Sequence, residues 1–201
     1  MIECANVVAV EGPDGSGKTT QAELLTERLA EQGYDVACVQ PAYVLLNALP
    51  FVKEPGISPR EERYDTSRSR VRTLVLAPLG IAYAVTSVLY LAVTYRSTIL
   101  VCDRYFYQFF FDLLGGVGVT VARFFPRPSV TVLLIGDENL LQDRMDEFDR
   151  SAHDGYHSST LEFYEEIASE CDVVRIDAGA TEGNINDRIL GVVNDNGITD
   201  A

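Results

Sequence analysis

Lysine is nearly missing from this chain. Its sixteen basic residues include only two lysines, Lys18 and Lys53, and they face thirty acidic residues, for a formal net charge of −14. A field of that sign repels nucleic-acid backbones and argues against a protein that coats DNA or RNA, so anionic ligands must be caught by local groups. High acidity with so little lysine also looks like a halophilic surface, where salt screens the self-repulsion. Cysteine is sparse and scattered: Cys4, Cys38, Cys102 and Cys171 form no C-x-x-C pair, and three of them fall in or beside expected strands, where a thiol serves as a small core hydrophobe. His153 and His157 stand four apart with no third ligand, so a structural zinc site is not expected. The scattered thiols point to a reducing cytoplasm, and since Met1-Ile2-Glu3-Cys4 carries no basic leader region and the apolar run behind it is short, secretion is not indicated.

Charge is also missing from one long stretch. Thr73 through Tyr95 holds no charged residue, a run long enough to cross a bilayer. Pro78, Gly80, Thr86, Ser87 and three tyrosines interrupt it, and a strand follows at once. The reading favoured is a helix walled in by sheet and neighbouring helices, with membrane contact as the alternative.

What is present is organised around Gly12-Pro13-Asp14-Gly15-Ser16-Gly17-Lys18-Thr19-Thr20, between the apolar run Val7–Val10 and an amphipathic stretch opening at Thr20. This is G-x-x-x-x-G-K-[ST] in a strand-loop-helix setting, a P-loop. Gly12, Gly15 and Gly17 let the backbone fold tightly enough to turn the N–H groups of residues 14–20, behind Pro13, inward, and the helix that follows adds its positive end. Lys18 is expected on the outer phosphates of a nucleoside triphosphate, and the Thr19 hydroxyl on the Mg²⁺ that bridges them.

With 201 residues, 47% of them hydrophobic, one domain is expected over 1–201. Leu24, Leu25 and Leu29 give the helix after the P-loop its apolar face, Gly33 closes it, and Tyr34–Gln40 reads as a buried second strand of a parallel sheet. From Pro41 to Ser69, prolines and Arg60-Glu61-Glu62-Arg63 break the pattern, which suggests a surface excursion over 41–72 on the substrate side. Thr98–Cys102 is the next strand, ending in Asp103-Arg104-Tyr105. An acid closing an apolar strand at its C-terminal edge is placed to organise a metal or orient an acceptor, and Arg104 to grip a phosphate. The competing reading is a salt bridge at a strand end. The aromatic run from Tyr105 and Tyr107 to Phe111 suits either a substrate pocket or core. Val130–Ile135 reads as a fourth strand, Ser158–Ser169 as a helix, Cys171–Asp177 as a fifth strand, and a closing helix begins at Ile185. Arg144 and Arg150 bracket an acidic segment that could form a lid over 144–157, with two solvated arginines as the alternative.

The P-loop α/β class serves switches, motors and kinases alike. No Asn-Lys-x-Asp element for guanine and no Leu-Ser-Gly-Gly transporter signature occurs here. In Val10-Glu11-Gly12-Pro13-Asp14-Gly15-Ser16-Gly17-Lys18-Thr19-Thr20-Gln21, in Cys102-Asp103-Arg104-Tyr105, and in the later strand, helix and arginine segment, the chain resembles the thymidylate kinase family of nucleoside monophosphate kinases. The resemblance implies a three-layer α/β/α domain with a five-stranded parallel sheet of order 2-3-1-4-5, using ATP and Mg²⁺ to phosphorylate a nucleotide. It implies that Asp14 holds the acceptor sugar, that Arg104 lies near the transferred phosphate, and that Arg144 and Arg150 belong to the lid. The family's Arg-Glu-Pro-Gly-Gly-Thr segment is replaced after the second strand by Gln40-Pro41-Ala42-Tyr43, with Lys53-Glu54-Pro55-Gly56 as a displaced echo, and its base-contacting arginine has no match in Gly80–Val85. Arg68, Arg70 and Arg72 could supply replacement phosphate contacts, or pair on the surface. The expected partner is a small-molecule acceptor, with a homodimer left open. A kinase of another small molecule, or a membrane-associated nucleotide binder without transfer, are the alternatives.

Overall fold

Five short apolar runs, each followed by a helix, need both faces of a sheet covered, and that is how the chain folds. The computed structural model describes residues 3–44, 70–144 and 156–200. The elements run β1 (Glu3–Glu11), α1 (Lys18–Glu31), β2 (Val36–Val39), α2 (Arg70–Thr94), β3 (Ile99–Asp103), α3 (Tyr107–Leu114), α4 (Val117–Phe124), β4 (Arg127–Ile135), α5 (Glu138–Arg144), α6 (Tyr156–Glu170), β5 (Val174–Asp177) and α7 (Glu182–Asp195). All strand pairs are parallel and the order is β2-β3-β1-β4-β5, as expected. Most of the 41–72 excursion and of the lid segment, including Lys53, Arg68 and Arg150, lies outside the described residues.

Alternation along β1 divides the core in two. Val8 and Val10 face Leu25 and Leu29 of α1 and Ile189 and Val193 of α7. Val7 and Ala9 face the opposite layer, with Phe106, Phe110, Phe163 and Ile167. Rings such as Phe106 and Phe110 are fully buried, and each contributes on the order of 1.5–3 kcal/mol by leaving water. In this order the chain passes from β1 to the β2–β3 side and then returns across β1 to β4. The reversal falls at the C-terminal ends of β1 and β3, where open parallel sheets leave a crevice. The register pairs Val10 with Asp103, which sets the end of the P-loop strand beside the acid that closes β3.

Two sequence expectations are corrected. Tyr34–Gln40 yields an edge strand rather than a buried one: β2 is half-covered, and Cys38 is exposed, because β2 has a neighbour on one side alone. The uncharged stretch is likewise not a buried helix. Across 77–94, Ala84, Ser87 and Leu91 form one buried stripe, while Leu79, Val85, Leu89, Tyr90 and Val93 are exposed. The helix packs on one side, with Gly80 against Leu113 and Phe109, and absence of charge says nothing about which faces find partners. Ala77–Thr94 is long and apolar enough to cross a membrane by length and composition.

Candidate active site

The P-loop wraps from the end of β1 into α1 because three glycines take backbone angles that side chains resist. Gly12, Gly15 and Gly17 have φ of 146°, 80° and 86°. A Cβ on Gly12 would lie 2.5 Å from the Leu134 carbonyl oxygen, and one on Gly15 would run into that of Leu141. The loop is therefore pressed against β4 and α5 on one side and open on the other. Gly17 caps α1 without a side-chain bond, leaving the N–H groups of the first helical turn for an anion, and the buried Ser16 hydroxyl has no hydrogen-bond partner.

Lys18 is 5% exposed; its Nζ donates to the Pro13 carbonyl at 2.6 Å and lies 3.7 Å from Asp14 Oδ1. Burial, aided by the nearby Arg104 guanidinium, pulls its pKa down to about 7 against the pull of Asp14, Asp103 and Glu11. Asp103 Oδ2 accepts from Thr19 Oγ1 at 2.9 Å and from Gln40 Nε2 at 2.8 Å. Its other oxygen, Oδ1, is buried with no hydrogen-bond partner. A carboxylate oxygen left over beside a threonine hydroxyl is the donor set a hard divalent cation takes, so the residues fit Mg²⁺. The ion pair at this strand end is that of Arg104 with Asp14, while Asp103 faces Thr19 and Gln40.

Arg104 adopts φ 64°, unusual for a residue with a Cβ, and its N–H donates to the Val10 carbonyl at 3.1 Å. This left-handed turn at the strand end costs about 1–3 kcal/mol, and it swings the guanidinium back onto Asp14, with which it forms an ion pair. Asp14 thus sits between two cations, Lys18 and Arg104.

Two clefts meet here. A larger one of about 780 Å³ runs along the P-loop from Asp103 and Arg104 to Arg144 and Ile185. A smaller one of about 340 Å³ lies between α2 and α3, walled by Tyr43, Tyr83, Tyr105 and Phe109. Gln40, Tyr43, Asp103 and Arg104 line both. The aromatic run therefore divides: Phe109 faces the smaller cleft, while Tyr107, expected at the substrate, is 1% exposed in the core against the Tyr105 ring. Helical spacing explains the correction, since Tyr107 and Phe110 share the buried side of α3. Tyr105 offers the cleft its ring, and its hydroxyl donates to the Pro126 carbonyl at 3.0 Å. Arg144 reaches the far end of the larger cleft, where its Nη1 donates to the Ala178 carbonyl at 2.8 Å. Arg72 falls in the first turns of α2, and its side chain lies outside the described residues.

Sequence reasoning passed over Gln40 and Glu11. Gln40 follows β2 at the same sheet edge as Asp103, a position that could have singled it out. Glu11 continues the inward-facing row Val7, Ala9, and a carboxyl in such a row is the signal of a buried acid with a task.

A glycine-formed anion cradle, a buried lysine and a strand-end acid at the crevice of a parallel sheet define a P-loop nucleotide-binding α/β protein. The Thymidylate kinase family model matches residues 10–43. A probable thymidylate kinase of Methanosphaera stadtmanae is 28% identical over 193 residues, covering 90% of this chain and 94% of the relative. A probable thymidylate kinase of Pyrococcus abyssi is 35% identical over 138 residues, 63% of each chain. A thymidylate kinase of Pseudomonas entomophila is 32% identical over 130 residues, so that the chain spans about half of that relative, 52%. Over most of its length the chain is thus similar in sequence to thymidylate kinases.

Proposed function

We propose that this protein transfers the terminal phosphoryl group of ATP to a nucleoside monophosphate, dTMP or a close relative. The observation that carries the reading is the meeting of the two clefts at Asp103 and Arg104. In this reading the larger cleft takes ATP, with Gly12, Pro13, Gly15, Ser16, Gly17 and Thr20 around the phosphates and Lys18 on the outer ones. Thr19 and Asp103 would hold Mg²⁺, which would supply charge neutralisation at the phosphates. Asp14 holds the acceptor sugar and keeps Arg104 aimed across the junction until a phosphate competes for it. Arg104, joined by Arg144 and Arg150 from the lid segment and by Arg72 from the acceptor side, neutralises charge on the moving group. Catalysis is positioning and electrostatics, with no covalent intermediate on the chain. Tyr43, Tyr83 and Phe109 offer the acceptor base flat apolar walls, which suit a planar ring.

The chain works as one domain in the cytoplasm, in this proposal, with 41–72 on the acceptor side and 144–157 closing over the phosphates. A second copy of the chain is assigned to the exposed side of α2. Thr86, Tyr90 and Thr94 on that side suit a protein partner better than lipid, and the molar mass in detergent-free solution decides: a dimer is expected, and a monomer that needs detergent argues for lipid.

ADP release across a panel of nucleoside monophosphates, nucleosides and no acceptor tests the function. Stimulation by a pyrimidine monophosphate is expected, and ATP binding without turnover on any nucleotide contradicts the reading. The panel run at low and at molar KCl also tests the salt adaptation proposed from the −14 charge: activity should rise with salt, and an unchanged or falling rate disposes of it. The second reading, a kinase of another small molecule, draws on the unmatched base-contacting arginine at Gly80–Val85 and is favoured if a non-nucleotide acceptor alone stimulates release.

A further inference from the structure

Glu11 lines neither cleft, yet its carboxyl group joins three parts of the site. It closes β1 one residue before the P-loop and is 1% exposed. Oε1 accepts the backbone N–H of Tyr105, the residue after Arg104, and Oε2 accepts the Tyr164 hydroxyl of α6 at 3.1 Å. The first bond braces a left-handed turn that Arg104 would not hold unaided, its φ being 64°. The second ties the P-loop strand to the helix that follows the proposed lid.

We propose that Glu11 is a positioning residue for phosphoryl transfer, whose carboxylate pins the Arg104 turn and α6 to the P-loop strand so that the Arg104 guanidinium stays aimed at the junction of the two clefts. This rests on the reading that Arg104 acts on the transferred phosphate. A carboxylate suits the task because both oxygens accept hydrogen bonds while its charge attracts Arg104; a leucine of similar volume would fill the space and hold neither partner. The groups facing it are the cations Lys18 and Arg104, and Tyr105, Tyr107, Tyr164 and Cys102, whose own pKa values burial pushes up so that they stay neutral. Burial raises the Glu11 pKa from 4.5 to about 7, against Tyr105, Arg104, Tyr164 and Lys18, which lower it. The brace is therefore complete above neutrality and loosens as pH falls through about 7.

The test compares Glu11→Leu and Glu11→Gln with the wild type. For Glu11→Leu the expected result is a melting temperature equal to or above that of the wild type, kcat reduced at least tenfold with KM for ATP within twofold, and Tyr105 amide exchange at least tenfold faster. Wild-type kcat at saturating ATP-Mg²⁺ should rise from pH 6 to 8 with a midpoint near 7, and Glu11→Gln, which keeps one acceptor and loses the charge, should flatten that limb. Wild-type kcat with undiminished Tyr105 protection in Glu11→Leu overturns the proposal, as does a loss of kcat, KM and melting temperature in proportion. Should Glu11→Leu fail to fold, an unflattened limb in Glu11→Gln overturns it. A wild type that turns over no acceptor, with Tyr105 protection still lost in Glu11→Leu, removes the kinase reading while the brace on Arg104 stands.

Discussion

Replacing Lys18 by alanine should lower kcat about 10²–10³-fold, the usual cost of losing one preorganised donor to a charged transition state. The fold should survive, because the ammonium is held by one carbonyl and one carboxylate inside a loop shaped chiefly by glycines. The side chain also makes ATP affinity depend on pH in a direction that can be worked out. In the free protein Lys18 titrates at about 7 instead of 10.5. Phosphate oxygens favour the ammonium form, so binding takes up a proton above pH 7, and affinity should fall as pH rises, by up to about tenfold per unit, the ceiling set by one proton. Stability runs the same chemistry the other way: a depressed lysine pKa contributes stability present above 10.5 and lost as pH falls toward 7. Titration calorimetry of ATP in two buffers of different ionisation enthalpy reads the proton directly. Lys18→Ala should abolish the uptake; an unchanged uptake would assign the proton to another group.

Arg104→Ala should be at least as severe for the chemical step, with kcat reduced by about 10³-fold or more, the range of arginines that stabilise transferring phosphoryl charge. ATP binding should persist, because the cradle is built by other residues. Removing Arg104 also withdraws one of the influences that depress Lys18, so the ATP pH profile should shift to higher pH in this variant. Arg104→Lys should not restore the rate, since a point charge cannot replace the planar fork that pairs with Asp14 and a phosphate together. Rapid-quench measurement of a single turnover separates the cases: a lost chemical step with intact ATP affinity is expected, and equal losses in both would make Arg104 part of the ATP cradle instead.

Much of this was legible beforehand because local rules act locally. The P-loop specifies its own backbone through glycine, so residues 12 to 20 announce the cradle and its helix. Apolar runs separated by helical patterns announce a parallel sheet, while the strand order came from resemblance to a family and not from periodicity. What could not be read depended on neighbours. Tyr107 and Phe109 are two residues apart in one aromatic run, and helix phase alone sends the first into the core and the second to the cleft. The uncharged helix is equally apolar whether wrapped or half-exposed; its buried stripe at Ala84, Ser87 and Leu91 is set by where α3 lies. Gln40 and Glu11 gain their meaning from Asp103 and Tyr105, which are more than 60 residues away along the chain.

The central claim is that a donor cleft and an acceptor cleft meet at Asp103 and Arg104 closely enough for a phosphoryl group to cross. A single molecule holding adenosine and a second nucleoside at the two ends of a five-phosphate chain measures that most directly, because it gains from both sites only if they face each other at the right span. Calorimetry should find it bound at least about 100-fold more tightly than ATP or the monophosphate alone, with the gain lost in Arg104→Ala. Affinity no better than that of ATP would contradict the account.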